Sequence, residues 1–460
     1  MTPSGFENLG INERLLSAIA AQRFTTPTPI QSRVIPIATK GSDVVGIAQT
    51  GTGKTLAFGV PLMQKILAQP MSQALIMCPT RELAMQVEEM IQKVGRTVGL
   101  KTVVLIGGTP IRPQMRELSR QPHIVIATPG RLMDHLNQKN LTLKNVSCVV
   151  LDEADRMLDI GFMPQIKQIL AQAPKERQTM LFSATMPPAI AEIANRFMKN
   201  PVKIEVAPQG TTAENVDQEM FIVHRDDKVR LLDKILAETT GSVLVFSRTK
   251  HGAKKLSRNV QFMGQTAIEM HSNRSFSQRK QALEGFKSGK YRVLVATDVA
   301  ARGIDVNNIA LVINFDLPDD LGDYVHRIGR TGRAGKSGKA ISFVTPDQKM
   351  EIRQIERLIR KPVTVSPLPI LPARREPPAP VFYQRANTGF TRAPARRNNF
   401  SMNRGNDRMP ERKTNFVFGR RNEPSAEPRT KRVLSPKFKR FSRKSAPLPK
   451  KFFNRTQSFA

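Results

Sequence analysis

Short aliphatic runs without polar alternation, each followed by a longer helical pattern, constrain the fold of this chain most tightly. Val44-Val45-Gly46-Ile47, Ala74-Leu75-Ile76-Met77, Val103-Val104-Leu105-Ile106, Ile124-Val125-Ile126, Val149-Val150-Leu151 and Met180-Leu181-Phe182 form a first set. A strand with no polar face has to be covered on both sides, which is the habit of parallel sheets flanked by helices. The rhythm stops at Ala207-Pro208-Gln209-Gly210-Thr211-Thr212, then resumes with Val243-Leu244-Val245-Phe246, Val293-Leu294-Val295-Ala296, Leu311-Val312-Ile313-Asn314 and Ile341-Ser342-Phe343-Val344. The expected fold class is α/β. Residues 1–206 and 217–361 make two tandem parallel-sheet domains, joined by a linker over 207–216.

Residues 362–460 read differently. The last hundred residues carry 24 Lys+Arg against 5 Asp+Glu and hold 14 of the 33 prolines. With almost no periodic aliphatic pattern they cannot offset their chain entropy, so a disordered basic tail is expected. Its clusters Lys431-Arg432, Lys437, Lys439-Arg440, Arg443-Lys444 and Lys450-Lys451 alternate with Phe438, Phe441, Phe452 and Phe453. Cations bind phosphates without reading sequence and rings stack on unpaired bases, although a solvated polycation or a protein contact has the same composition. The whole chain has a formal net charge of +34, which favours a polyanionic partner over metabolite-only chemistry. Cys78 and Cys148 have no CxxC partner, which excludes a disulfide scaffold or zinc site and fits a reducing cytoplasm. No run of ~18 apolar residues occurs and Met1–Gly10 has no signal-peptide pattern, so no membrane partner is expected.

After the first strand comes Ala48-Gln49-Thr50-Gly51-Thr52-Gly53-Lys54-Thr55, followed by a helical run from Leu56 to Ala68. Glycines there let backbone N–H groups turn toward an anion, and the helix N-terminus adds its positive end. Lys54 reaches the β/γ-phosphates of a nucleotide and the Thr55 hydroxyl is placed for Mg²⁺. A later strand delivers Asp152-Glu153-Ala154-Asp155 at its carboxyl end, where open α/β sheets hold ligands. Asp152 suits the magnesium, through water, and Glu153 suits the deprotonation of an attacking water.

Further motifs follow in order. They are Phe24-Thr25-Thr26-Pro27-Thr28-Pro29-Ile30-Gln31, Pro79-Thr80-Arg81-Glu82-Leu83-Ala84, Gly107-Gly108, Thr128-Pro129-Gly130-Arg131, Ser183-Ala184-Thr185, Val245-Phe246-Ser247-Arg248-Thr249, Ala296-Thr297-Asp298 through Gly303-Ile304-Asp305, and His326-Arg327-Ile328-Gly329-Arg330-Thr331-Gly332-Arg333. Over roughly residues 6–345 the chain resembles the DEAD-box ATP-dependent RNA helicases of superfamily 2, and among them the bacterial RhlE-like branch. The resemblance implies two RecA-like domains, ATP and Mg²⁺ as cofactors, and RNA as the partner, bound largely without regard to sequence.

The resemblance also assigns roles. Gln31 reads the adenine edge, for which a primary amide offers a donor and an acceptor together. Phe6 stacks on the ring and Asp305 lies near the ribose, while Arg330 and Arg333 reach the γ-phosphate from the second domain. Read without the family, Gln31 is a surface amide and Phe6 a core residue. Arg81, Gly108, Thr128 and Arg131 in the first domain, with Arg248, Arg274 and Thr297 in the second, contact RNA backbone. Ser183, Thr185 and His326 couple the ATP site to strand separation. Two residues depart from the family pattern: Arg23 and Ser272 stand where glycine is usual. The implied activity is RNA-stimulated ATP hydrolysis that locally unwinds short duplexes or remodels RNA–protein complexes, by a monomer acting in the cytoplasm. An ATP-gated RNA clamp or annealing scaffold is the alternative; a double-stranded DNA translocase is disfavoured by Gln31 and the acidic tetrad. Ribosomal or mRNA-decay complexes are the larger partners that the resemblance allows.

Overall fold

The computed structural model describes residues 5–48, 51–206, 216–301, 306, 309–332 and 337–373. Gln49, Thr50, Asp305 and Arg333, most of the expected linker and the basic tail beyond residue 373 lie outside the described residues. The first sheet contains β1 (Val44–Ile47), β2 (Gln73–Met77), β3 (Thr102–Leu105), β4 (Ile124–Ala127), β5 (Val146–Leu151), β6 (Gln178–Ser183) and β7 (Val202–Glu205). Its order is β3-β4-β2-β5-β6-β1-β7, with every pair parallel. The second contains β8 (Val216–Ile222), β9 (Ser242–Phe246), β10 (Ala267–Met270), β11 (Val293–Ala296), β12 (Ile309–Asn314), β13 (Gly338–Val344) and β14 (Thr364–Ser366). Its order, β10-β11-β9-β12-β13-β8-β14, repeats the plan of the first strand for strand. Both sheets belong to one compact unit within Met1–Val381.

Successive side chains of a strand point to opposite faces, and both faces here are dry. Ala74 and Ile76 of β2 pack in one hydrophobic cluster with Phe58, Leu62 and Val87 of the helices Lys54–Ala68 and Arg81–Gly95. Leu75 and Met77 pack in a second cluster with Leu132, Ile166 and Ile193 of helices on the other side. The second domain has the same two-sided core. This burial explains why the aliphatic runs carry no polar alternation.

Four strands are absent from the runs that the sequence displays. β7 is an edge strand, three of whose four residues are exposed, and β8 reads Val-Asp-Gln-Glu-Met-Phe-Ile. β10 is short and carries a buried Glu269, and β14 has only three residues. The domain boundaries shift accordingly. Val216, placed in the linker, opens β8, and the chain past residue 361, read as tail, adds β14 to the edge of the second sheet beside β8. Arg230 then holds the following stretch by donating from Nε to the Pro372 carbonyl at 2.7 Å.

Candidate active site

The phosphate loop leaves β1 and ends in the N-terminus of the helix Lys54–Ala68. Gly51 and Gly53 have φ of 88° and 90°, the left-handed region that favours glycine. At Gly53 space adds to the demand, since a Cβ would lie 2.5 Å from Gln31 Nε2. Lys54 is buried and donates from Nζ to the Ala48 carbonyl at 3.0 Å, so its ammonium is folded back over the loop. Gln31 sits in the first turn of the helix Pro29–Ala38. Its Oε1 accepts from the Thr28 N–H at 2.9 Å while its Nε2 donates to the Gly53 carbonyl at 3.0 Å. The expected adenine reader is therefore tied to the phosphate loop. Phe6 is only 5% exposed and belongs to the first domain's core.

β5 presents the acidic tetrad. Asp152 and Glu153 are 3% and 6% exposed, and Glu153 has φ of 52°, an uncommon backbone for a residue with a side chain and one that clusters at functional sites. Burial pushes the Asp152 carboxyl up to about 7; Lys54 opposes the rise and Glu153 adds to it. Its Oδ1 is buried with no hydrogen-bond partner. Burial would raise Glu153 too, but Arg156, Lys54, Arg330 and His326 together outweigh it and hold this carboxyl down at about 2. Arg156 stands 3.3 Å from Glu153 Oε2, itself buried. Arg330 and His326 belong to the second domain, at the end of the helix Gly322–Ile328, and Arg330 Nε donates to the His326 carbonyl at 3.0 Å. The environment of Glu153 is thus built from both sheets.

Asp155 links the tetrad to the motif after β6. Its Oδ2 accepts from Ala184 N at 3.0 Å, Thr185 N at 2.9 Å and Thr185 Oγ1 at 3.1 Å; its Oδ1 accepts from Arg156 N at 2.9 Å. In return Ser183 Oγ accepts from the Asp155 N–H at 3.1 Å.

A cleft of about 850 Å³ is lined by both domains, including Arg81, Gly108, Thr128 and Arg131 from the first and Ser272 and Arg274 from the second. Arg81 lies across the glycine pair: a Cβ on Gly108, whose φ is 73°, would come within 2.0 Å of Arg81 Nη1. Burial lowers the Arg81 pKa, and the charges of Arg279 and Arg131 lower it further. Arg131 donates from both Nη1 and Nη2 to the Thr109 carbonyl at 3.1 Å. Arg274 is paired with Glu269. Two residues of the expected RNA set lie apart from this cleft. Arg248 lines a separate cavity of about 650 Å³ on the second domain and pairs with Asp319 at 3.2 Å, and Thr297 is buried at the end of β11.

Comparison with known proteins agrees with this geometry. The DEAD/DEAH box helicase family matches residues 28–193, and the helicase conserved C-terminal domain matches residues 227–335. The DEAD-box ATP-dependent RNA helicase CshA of Geobacillus kaustophilus is 43% identical over 358 residues, which are 77% of this chain and 77% of that protein. CshA of Bacillus subtilis is 42% identical over 385 residues, covering 83% and 78%. The chain belongs to the DEAD-box RNA helicases. Solved structures similar to this helicase include S. cerevisiae Dbp5 bound to RNA and ADP BeF3, with a TM-score of 0.72, 30% identity, and coverage of 79% of this chain and 96% of that one. The DEAD-box helicase Mss116 bound to ssRNA and UDP-BeF gives a TM-score of 0.74 at 29% identity, covering 80% of each chain. The two bacterial relatives are CshA proteins, so the finer expectation of an RhlE-like branch finds no support in them.

Several residues of the helicase site were not singled out from the sequence. Arg156 looks like a surface charge three positions after Glu153 but is 3% exposed. Arg327, inside the His-Arg-Ile-Gly-Arg motif, is 1% exposed. It holds Asp298 through two contacts of 2.6 and 2.7 Å, donates to Asn314 Oδ1 at 3.2 Å, and lies over the Phe246 ring at 5.0 Å. Its position between two expected functional residues was the available signal. Among the described residues, the loop after β8 is no counterpart of the phosphate loop after β1. In the place that Lys54 and Asp152 occupy on the first sheet, the second sets Lys228, whose Nζ lies 3.1 Å from Asp316 Oδ1, after a loop that contains no glycine.

Proposed function

We propose that this helicase hydrolyses ATP only when RNA spans both domains, and uses the resulting closure to melt short duplexes or displace bound partners. The observation that carries the reading is the surroundings of Glu153, a buried first-domain carboxylate kept charged mainly by Arg156 and Lys54 of its own domain, to which Arg330 and His326 of the second add. Glu153 takes the proton of the attacking water, Lys54 binds the β/γ-phosphates, and Arg330, with Arg333, spreads its planar donors over the phosphoryl oxygens. Gln31 reads the adenine and Asp305 meets the ribose, with Gly51, Thr52, Gly53 and the neighbouring loop N–H groups around the phosphates.

Magnesium fits the residues present. The buried Oδ1 of Asp152 has no hydrogen-bond partner, and its lone pairs suit a hard cation. Such an ion would be held by the Asp152 carboxylate and the Thr55 hydroxyl, with waters and substrate phosphates completing its shell. When bound, it neutralises charge that develops on the phosphates. RNA lies along Arg81, Gly108, Thr128, Arg131 and Arg274, and Arg248 and Thr297 extend the track; contacts to the 2′-hydroxyl select RNA over DNA. No helix among the described residues is long and apolar enough to cross a membrane. The protein works as a cytoplasmic monomer, with its basic tail as an RNA tether.

The test is steady-state ATP hydrolysis with single-stranded RNA or DNA of matched sequence. Turnover is low without nucleic acid, rises strongly with RNA and rises much less with DNA. Equal stimulation by DNA would refute the RNA assignment.

A further inference from the structure

The helix Phe276–Lys287 of the second domain opens with a capping box in which Ser275 and Gln278 satisfy each other's backbone N–H groups, so its first turn is fixed. Phe276 and Arg279 are three residues apart and so share one face of this helix. Both look across the cleft. Phe276 belongs to neither hydrophobic cluster of its own domain but packs, partly buried, against the core of the first. Arg279 Nη2 lies 2.8 Å from Glu82 Oε1 on the first domain, with the two side chains 13% and 11% exposed. The core of its own domain is instead served by Ala282, Leu283 and Phe286, further along the same helix.

We infer that Phe276 is an apolar latch that, with the Arg279–Glu82 pair, holds the second domain against the first once RNA occupies the cleft. Parting the domains returns to water the part of the Phe276 ring that packs on the first domain, and a ring outside the hydrophobic clusters of its own domain favours the closed state. The charges supply the dependence on RNA. Arg81 and Arg279 repel one another across the cleft, and Glu82, which pairs with Arg279 and also favours the charged form of Arg81, brings one negative charge against two positive ones. A phosphate between them removes the repulsion, after which the apolar contact and the ion pair act together. This inference rests on the RNA-dependent closure proposed above, and makes Phe276 a positioning residue.

Closure can be read directly in the full-length chain. Met71 and Met350 are 88% and 67% exposed on the first and second domains and accept a fluorophore pair as M71C and M350C. The native Cys78 and Cys148 are buried, and burial pushes both thiols up, Cys148 to about 12, so they stay unlabelled. Energy transfer is titrated with poly(U) RNA in the presence of a non-hydrolysable ATP analogue. From the burial of part of an aromatic ring, F276A and F276Q should each raise the RNA concentration for half-closure by about fivefold to thirtyfold, and F276L by no more than about threefold. E82R and R279E should each raise it, and the double swap should bring it back toward wild type. The F276A effect should persist at high salt, whereas the single charge reversals should shrink.

Half-closure of F276A at the wild-type RNA concentration would overturn the inference while leaving RNA-dependent closure intact. A wild-type chain that does not close with RNA would overturn the reading on which it rests, and the latch with it. If the F276A loss disappears on an abasic tract, Phe276 serves a base rather than the first domain, and the latch is also refuted. Failure of the double swap to recover closure would remove the ion pair from the latch.

Discussion

Replacing Asp155 by asparagine should damage the helicase well beyond the loss of one charge. The carboxylate accepts four bonds, three of them at Oδ2 from Ala184 and Thr185, and one at Oδ1 from Arg156 N. Asparagine keeps one acceptor oxygen. If it takes the Oδ2 position, the amide nitrogen faces the Arg156 N–H, two donors in a buried site. That unpaired donor costs about 1–3 kcal/mol, and the three remaining bonds each weaken by roughly 1 kcal/mol as they change from charge-assisted to neutral, for a total of about 4–6 kcal/mol. For a domain of this size the corresponding fall in melting temperature is about 10 °C or more. Circular dichroism is a suitable probe, since the chain contains no Trp. ATP hydrolysis and duplex unwinding, measured on the same samples below the melting range, should show unwinding falling further than hydrolysis, because the weakened bonds lead to Ala184 and Thr185 and not to the phosphate loop. A melting point within about 3 °C of wild type, with unwinding and hydrolysis in their normal ratio, would refute the reasoning.

Glu153→Gln should lower RNA-stimulated turnover by about 10²- to 10⁴-fold, the usual worth of a general base, while a fluorescent ATP analogue still binds; Lys54→Ala should lose that binding instead. Arg23 has φ of 61°, so Arg23→Gly should relieve left-handed strain and stabilise the first domain by about 1 kcal/mol, read as a rise in denaturant midpoint. Deleting residues 374–460 should raise the RNA half-saturation of ATPase and flatten its salt dependence while leaving the melting of the second domain in place. Deleting residues 362–460 also removes β14 and the carbonyl partners of Arg230, and should lower that melting point.

Much of the fold is visible in the sequence because both sheets are buried on both faces, which leaves their central strands as uninterrupted aliphatic runs. The strands that escape notice sit where this logic fails. β7 and β14 are edges that meet solvent, and β8 mixes Asp217, Gln218 and Glu219 into its run. The ATP site is legible for a different reason. Phosphate binding demands glycine, lysine and a hydroxyl at fixed spacing, so Gly51, Gly53, Lys54 and Thr55 announce themselves. Arg156, Arg327 and Arg279 do not, because an arginine says nothing about its partner until the chain has folded. The departure at Arg23 was legible as an oddity, and its left-handed backbone gives the physical reason that glycine suits the position.

The amide of Gln31 has a consequence for how this site tells one nucleotide from another. One planar group of three heavy atoms spans the distance between the turn at Thr28 and the phosphate loop at Gly53, using one lone pair and one hydrogen and keeping one of each in reserve. A purine that engages the reserve pair engages a lever whose other arm rests on the loop carbonyl. If Gln31 reads the base as proposed, a mismatched base should disturb the loop carbonyl that the same amide holds. On that proposal discrimination should show in the rate of hydrolysis as well as in affinity, with a non-adenine nucleotide bound but cut more slowly.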